Sequence, residues 1–116
     1  MTDLEGVAGV QQSLDWCYNN GRYYNKAKEF LTMEVNAAIE GFIEAGATEF
    51  LVADGDGAGG IDQLLLNPAA EYVCNWPAGE ASFSLTDGKF DFAAWVGQHP
   101  MAGTAGGHIS HTGNMG

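Results

Sequence analysis

Apolar residues recur at three- and four-residue steps through Ala27, Phe30, Leu31, Val35, Ala38, Ile39, Phe42 and Ile43, while Lys28, Glu29, Thr32, Asn36, Glu40 and Glu44 fall on the other side. This spacing predicts an amphipathic helix over residues 26–45, with Gly46 as its C-terminal stop. Glu34 flanks the stripe, where a carboxylate can snorkel to solvent. From Thr48 to Ala53 the pattern becomes a nearly continuous apolar run, as in a strand buried within a parallel sheet. Glu71–Trp76, stopped by Pro77, and Phe90–Val96 are further strand candidates. Gly55–Gly60 reads as a loop and Asp62–Leu66 as a short helical turn ended by Asn67 and Pro68. Helix alternating with strand implies right-handed βαβ connections. The predicted class is α/β, a parallel-rich sheet flanked by helices.

The 116 residues make one domain at most, with no internal repeat or linker. Its two ends are anomalous: Asp3 follows only Met1 and Thr2, and the chain stops just after a His-rich stretch. The expectation is therefore an incomplete domain, the N-terminal part of a larger one, although short termini also fray.

Composition narrows the function. Fifteen acidic residues stand against Arg22, Lys26, Lys28 and Lys89, for a formal net charge of -11. Such a surface repels nucleic acid and anionic membranes and suits cations, though solubility alone explains much of it. Hydrophobic content of 46% argues against disorder. No apolar run reaches transmembrane length and the N-terminus has no signal-peptide pattern. Cys17 and Cys74 lie far apart, form no CxxC motif, and leave a reducing cytoplasm as the expected compartment.

Candidate ligands cluster where predicted strands end. In Asp3-Leu4-Glu5, alternate residues of an extended chain face one side, so both carboxylates can reach one metal or bridge two. Asp54-Gly55-Asp56-Gly57 follows the middle strand. It resembles the start of an EF-hand loop, but Ala58 and Leu65 stand where calcium ligands belong. The Gly-Lys-Ser/Thr ending of a phosphate loop is also missing. His99 follows the third strand candidate, with His108 and His111 beyond a glycine-rich stretch. Ligands bind beyond the carboxyl ends of strands in open α/β sheets, so these residues together read as a metal site. Singly, each reads as an ordinary loop residue.

These pieces carry a resemblance. Asp3 to Val10, Thr32 to Gly41, Glu44 to Ala47 with the strand after it, Asp54 to Gly57, Phe90-Asp91, Gly97 to Thr104, and His111-Thr112 occur in an order similar to that of the zinc-dependent D-aminopeptidases of the dipeptide-permease-operon type. The resemblance covers nearly the whole chain. It implies a two-metal aminopeptidase acting on small peptides with N-terminal D-amino acids, D-alanyl peptides among them. It implies Asp3, Glu5 and His99 as ligands to two divalent ions, zinc in the family, and His111 as the catalytic histidine. It implies a homo-oligomer for the full-length form. Asp56 stands where the family has a ligating histidine; Asp ligates too, but favours harder ions such as magnesium or manganese. A final glutamate ligand of the family falls beyond residue 116. Asp56 beside Asp3 and Glu5 should also raise the proton affinities of all three. Two competing expectations are a degenerate homologue without metal and a non-catalytic cation-binding module built on the acidic loop.

Overall fold

In the computed structural model, which describes residues 1–56, 59–75 and 89–112, the apolar stripe forms a 21-residue helix. A single turn at Ser13–Trp16 (α1) precedes it, and the long helix itself, α2, spans Tyr24–Glu44. α1 is too short to show a helical period. Its N-terminus is capped by the Gln12 side chain, which accepts from Leu14 N at 2.7 Å. α2 ends as its glycine predicts. Gly46 adopts φ +98°, Gly46 N donates to Ile43 O (2.9 Å), and Ala47 N donates to Phe42 O (2.9 Å), the paired bonds of a Schellman motif.

Tyr24, Ala27, Leu31, Val35 and Ile39 form the buried seam of α2. They pack on Leu4, Val7 and Val10 of the N-terminal loop and on Val52 and Ile61. Phe30 and Phe42 are only half-buried: Phe30 lies beside Trp16 with ring centroids 6.2 Å apart, and Phe42 meets Phe92 at 5.9 Å. Thr32, expected on the polar side, is fully buried. Its hydroxyl donates to Lys28 O (2.7 Å) and accepts from Asp62 N (2.9 Å). Asn36 likewise binds Leu65 O and Asn67 N, both at 2.8 Å. At Thr32 and Asn36 the polar face of α2 is therefore covered by residues 62–67, whose backbone these two side chains bond. Asp62–Leu66 forms a single hydrogen-bonded turn, as predicted, with Leu65 N and Leu66 N both donating to Asp62 O at 3.1 Å.

Leu31 has no exposed surface and sits centrally in this core. Leu31→Ala is expected to cost about 2–5 kcal/mol, the range for a buried leucine that leaves a cavity. Denaturant titration checks this, and a loss below about 1 kcal/mol would contradict the packing described.

β1, Phe50–Ala53, pairs in parallel with β2, Ala70–Val73, with Phe50 opposite Ala70 and Ala53 opposite Val73. β2 begins one residue earlier than its pattern predicts; Trp76, its predicted end, lies outside the described residues. The predicted strand at 90–96 is corrected. Its sheet contact is a single parallel bridge between Val96 and Thr2, and Thr2 also bridges Asp54. Backbone bonds join Met1–Asp3 to Ala94–Val96: the Met1 ammonium to Ala94 O, Val96 N to Met1 O, and Asp3 N to Val96 O, each 3.0 Å. A strand needs a run of paired residues, and among the described residues the mostly apolar segment 90–96 is bonded to Met1–Asp3 at its end. Across the molecule the order is β2, β1, the Thr2 segment and the Val96 segment, all running one way. The fold is α/β with a parallel sheet. Asp3, Asp54 and Gly97 consequently emerge at the same edge.

Candidate metal centre

Two glycines bring the N-terminal and 97–99 segments together. A Cβ on Gly6 would fall on the Gln98 carbonyl oxygen, and one on Gly97 would fall on the Asp3 carbonyl oxygen. Gly97 also adopts φ +75°, a left-handed conformation that favours glycine. With neither side chain present, Gly6 N donates to Gly97 O at 2.7 Å.

This contact sets Asp3 against His99. Asp3 Oδ1 accepts from Leu4 N (3.0 Å), and Oδ2 accepts from Gln98 Nε2 (3.1 Å) and His99 N (3.2 Å). His99 Nε2 lies 3.7 Å from Asp3 Oδ2, and the His99 side chain is only 10% exposed. His99 Nδ1 is 3.1 Å from Pro100 O. A carbonyl only accepts, so this bond places a proton on Nδ1; in the neutral ring the lone pair is then on Nε2, the nitrogen that faces Asp3. Histidines that ligate metals characteristically donate their second ring N–H in this way.

Glu5 and Asp56 complete the acidic group. Burial, then a hydrogen bond with the Asp3 side chain and the Asp3 charge, push the Glu5 carboxyl up to about 8, with Asp56 adding to the effect. Burial, then the charges of Asp3 and Asp54, push Asp56 up to about 7. Proton affinity thus rises at both positions, with desolvation ahead of mutual repulsion. Asp56 Oδ2 is buried and has no hydrogen-bond partner among the described residues. A buried oxygen left without a donor is costly unless it is protonated or meets a cation.

His111 stands directly on His99, ring centroids 3.6 Å apart and planes at 19°. Its amide donates to Pro100 O (3.2 Å), and its Nδ1 is 2.9 Å from Ile109 O. The same reasoning puts a proton on His111 Nδ1, so that in the neutral ring the lone pair is on Nε2. Ile109 holds φ +51°, an uncommon conformation for a β-branched residue. His108 lies exposed on the preceding turn. The sheet edge thus gathers Asp3, Glu5, Asp56 and His99, with His111 stacked behind. Among the described residues, however, no three His, Cys, Asp or Glu side chains form a ready-made metal cage. The Asp3 lone pairs are turned toward amide donors instead.

The comparisons with known proteins bear on this arrangement. A family model described as Peptidase_M55, D-aminopeptidase, matches residues 1–116. The chain belongs to the M55 D-aminopeptidase family. Searches of curated proteins and of solved structures returned no match. Among the described residues of this M55 family member, no helix is long and apolar enough to cross a membrane.

Sequence reasoning gave no separate role to three residues around the M55 acidic group, although it read Asp54 and Asp56 together as one candidate ligand loop. Cys17 is buried, and burial, then the charges of Glu5, Asp56 and Asp3, push its thiol up to about 12. It borders the carboxylates as a protonated, unreactive group. Tyr24 donates to Gly59 O at 3.0 Å, anchoring the loop after β1 to α2. Asp54 is buried and accepts from several donors of that loop. An isolated cysteine and a tyrosine near a helix start carry no distinguishing pattern, and nothing in the sequence separates the role of Asp54 from that of Asp56.

The raised carboxyls make a prediction about the chain stripped of metal. Glu5 and Asp56 keep protons in the folded state that they lose at their ordinary values of 4.5 and 3.8 when unfolded. Their stabilising contribution is complete below those ordinary values and is lost as pH rises through about 7 to 8. With a chelator present, the melting temperature should fall between pH 5 and pH 8, and saturating divalent ion should offset the fall. A metal-free chain that melts higher at pH 8 than at pH 5 would contradict the burial of these groups.

Proposed function

We propose that this member of an aminopeptidase family removes N-terminal D-residues, D-alanine foremost, from small peptides, with Asp3, Glu5, Asp56 and His99 holding two divalent ions. The observation that carries this reading is the buried Asp56 Oδ2, without a hydrogen-bond partner among the described residues, in one acidic group with Asp3 and Glu5, with Asp3 facing His99, at the carboxyl edge of a parallel sheet. The donor chemistry fits the group: hard carboxylate oxygens and an imidazole with its outer nitrogen on a backbone carbonyl suit zinc, manganese or magnesium. Bound divalent ions would polarise the scissile carbonyl and acidify a water enough to attack near neutral pH.

The chain's own groups supply the rest. The acidic group draws in cations and the peptide's ammonium. Asp3, tied to the 97–99 segment, fixes the spacing between the N-terminal carboxylates and His99. His111, its Nδ1–H held by Ile109 O, offers Nε2 to accept a proton from the attacking water or, once protonated, to donate to the developing oxyanion.

The test pairs metal content with activity. Protein loaded with zinc or manganese and then dialysed should retain stoichiometric metal and release D-alanine from D-alanyl peptides faster than L-alanine from their enantiomers. Chelation should abolish the reaction. Intact protein that retains no metal and is equally inert with and without added ions would favour a degenerate homologue.

A further inference from the structure

Asp54 is 5% exposed, and both its carboxylate oxygens are occupied. Oδ1 accepts from Gly60 N (3.0 Å), Asp56 N (3.2 Å) and Thr2 Oγ1 (3.5 Å). Oδ2 accepts from Tyr72 OH (2.7 Å) and Ile61 N (3.1 Å). These donors come from the N-terminal segment, from the loop that carries Asp56, and from β2. Thr2 Oγ1 in turn accepts from Gly55 N at 3.3 Å. One buried carboxylate therefore ties the residue before Asp3 to the amide of Asp56 itself. With its lone pairs committed, Asp54 is poorly placed to become a ligand without dismantling the loop.

We propose that Asp54 is a positioning residue, resting on the metal-centre reading above. It holds the Asp56 carboxylate in register with Asp3 and Glu5, and the Tyr72 hydroxyl orients it in doing so. Supporting hydrogen bonds of this kind restrict how ligands can rotate, and their loss typically weakens metal binding by about 10–100-fold. Tyr72→Phe is the cleaner probe, because it removes a single donor without changing the ring. Asp54→Asn removes the charge and replaces one acceptor with a donor facing backbone N–H groups.

The experiment titrates Mn2+ alone into the full chain by calorimetry, at a temperature where each variant is folded, and measures metal-free melting in parallel. Tyr72→Phe is expected to weaken Mn2+ binding about tenfold, and Asp54→Asn by up to about 100-fold. A role confined to stability gives the opposite split: lower melting temperatures with unchanged affinity in the folded protein. Equal Mn2+ affinity in wild type and Tyr72→Phe overturns the inference and leaves the metal centre standing. A wild-type chain that takes up no Mn2+ overturns the metal centre and this inference with it. If Asp54→Asn does not fold, the comparison of wild type with Tyr72→Phe decides.

Discussion

Asp3→Asn is expected to lower D-alanyl peptide hydrolysis by more than about 100-fold, beyond the usual loss from removing a ligand's supporting partner. The fold should survive. Asn keeps the shape of Asp, and its carbonyl oxygen can still accept from Leu4 N, as Asp3 Oδ1 does at 3.0 Å. The second position is where it fails. Asp3 Oδ2 accepts from Gln98 Nε2 and His99 N and faces His99 Nε2 at 3.7 Å. An amide NH2 there meets two donors and cannot serve as a hard anionic ligand. It also removes the hydrogen bond and charge that help keep Glu5 protonated, so the Glu5 carboxyl should titrate lower in the metal-free variant. Metal content, rate, and the Glu5 titration followed by carboxyl-carbon NMR give three readouts. Wild-type metal content and rate in Asp3→Asn would remove Asp3 from the centre.

How much of this was legible in the sequence depends on the range of each interaction. The body of α2 and the position of β1 are written in local periodicity, and the Gly46 stop is confirmed bond by bond. Thr32 and Asn36 lie on the polar side as the spacing predicts, but what covers them was not legible because their partners, Asp62, Leu65 and Asn67, are about thirty residues away. Helical spacing reports which face a residue occupies, not what lies over that face. Residues 90–96 are mostly apolar, as a buried strand should be, yet a ladder also requires a partner along its length, and among the described residues the backbone bonds reach only from Ala94–Val96 to Met1–Asp3. At the candidate site, Asp3, Glu5, His99 and His111 were singled out by family resemblance, while D-x-E and isolated histidines are common by chance. The role of Asp54 was hidden by its neighbour. Two aspartates in one Asp-Gly-Asp step look alike as letters, and only the fold shows one saturated with hydrogen bonds and the other with an oxygen left bare.

That bare oxygen frames the last prediction. Asp56 stands where related D-aminopeptidases are expected to carry a ligating histidine, and Asp56→His should tighten zinc binding by about tenfold or more, roughly 1.4 kcal/mol. Two effects act together. Burial and the charges of Asp3 and Asp54 hold the Asp56 carboxyl up at about 7, so an ion must compete with a proton near neutral pH. Histidine adds a borderline-soft nitrogen that zinc favours and removes one negative charge from a crowded group. For Mg2+ the same substitution should weaken binding, because a hard oxygen ligand is lost. The pair of titrations separates a change in ligand type from a general change in stability, which would move both ions the same way. Zinc affinities that agree between the two variants at one pH would mean that Asp56 does not ligate. The buried Oδ2 would then be a protonated carboxyl of the loop, and any metal would rest on Asp3, Glu5 and His99.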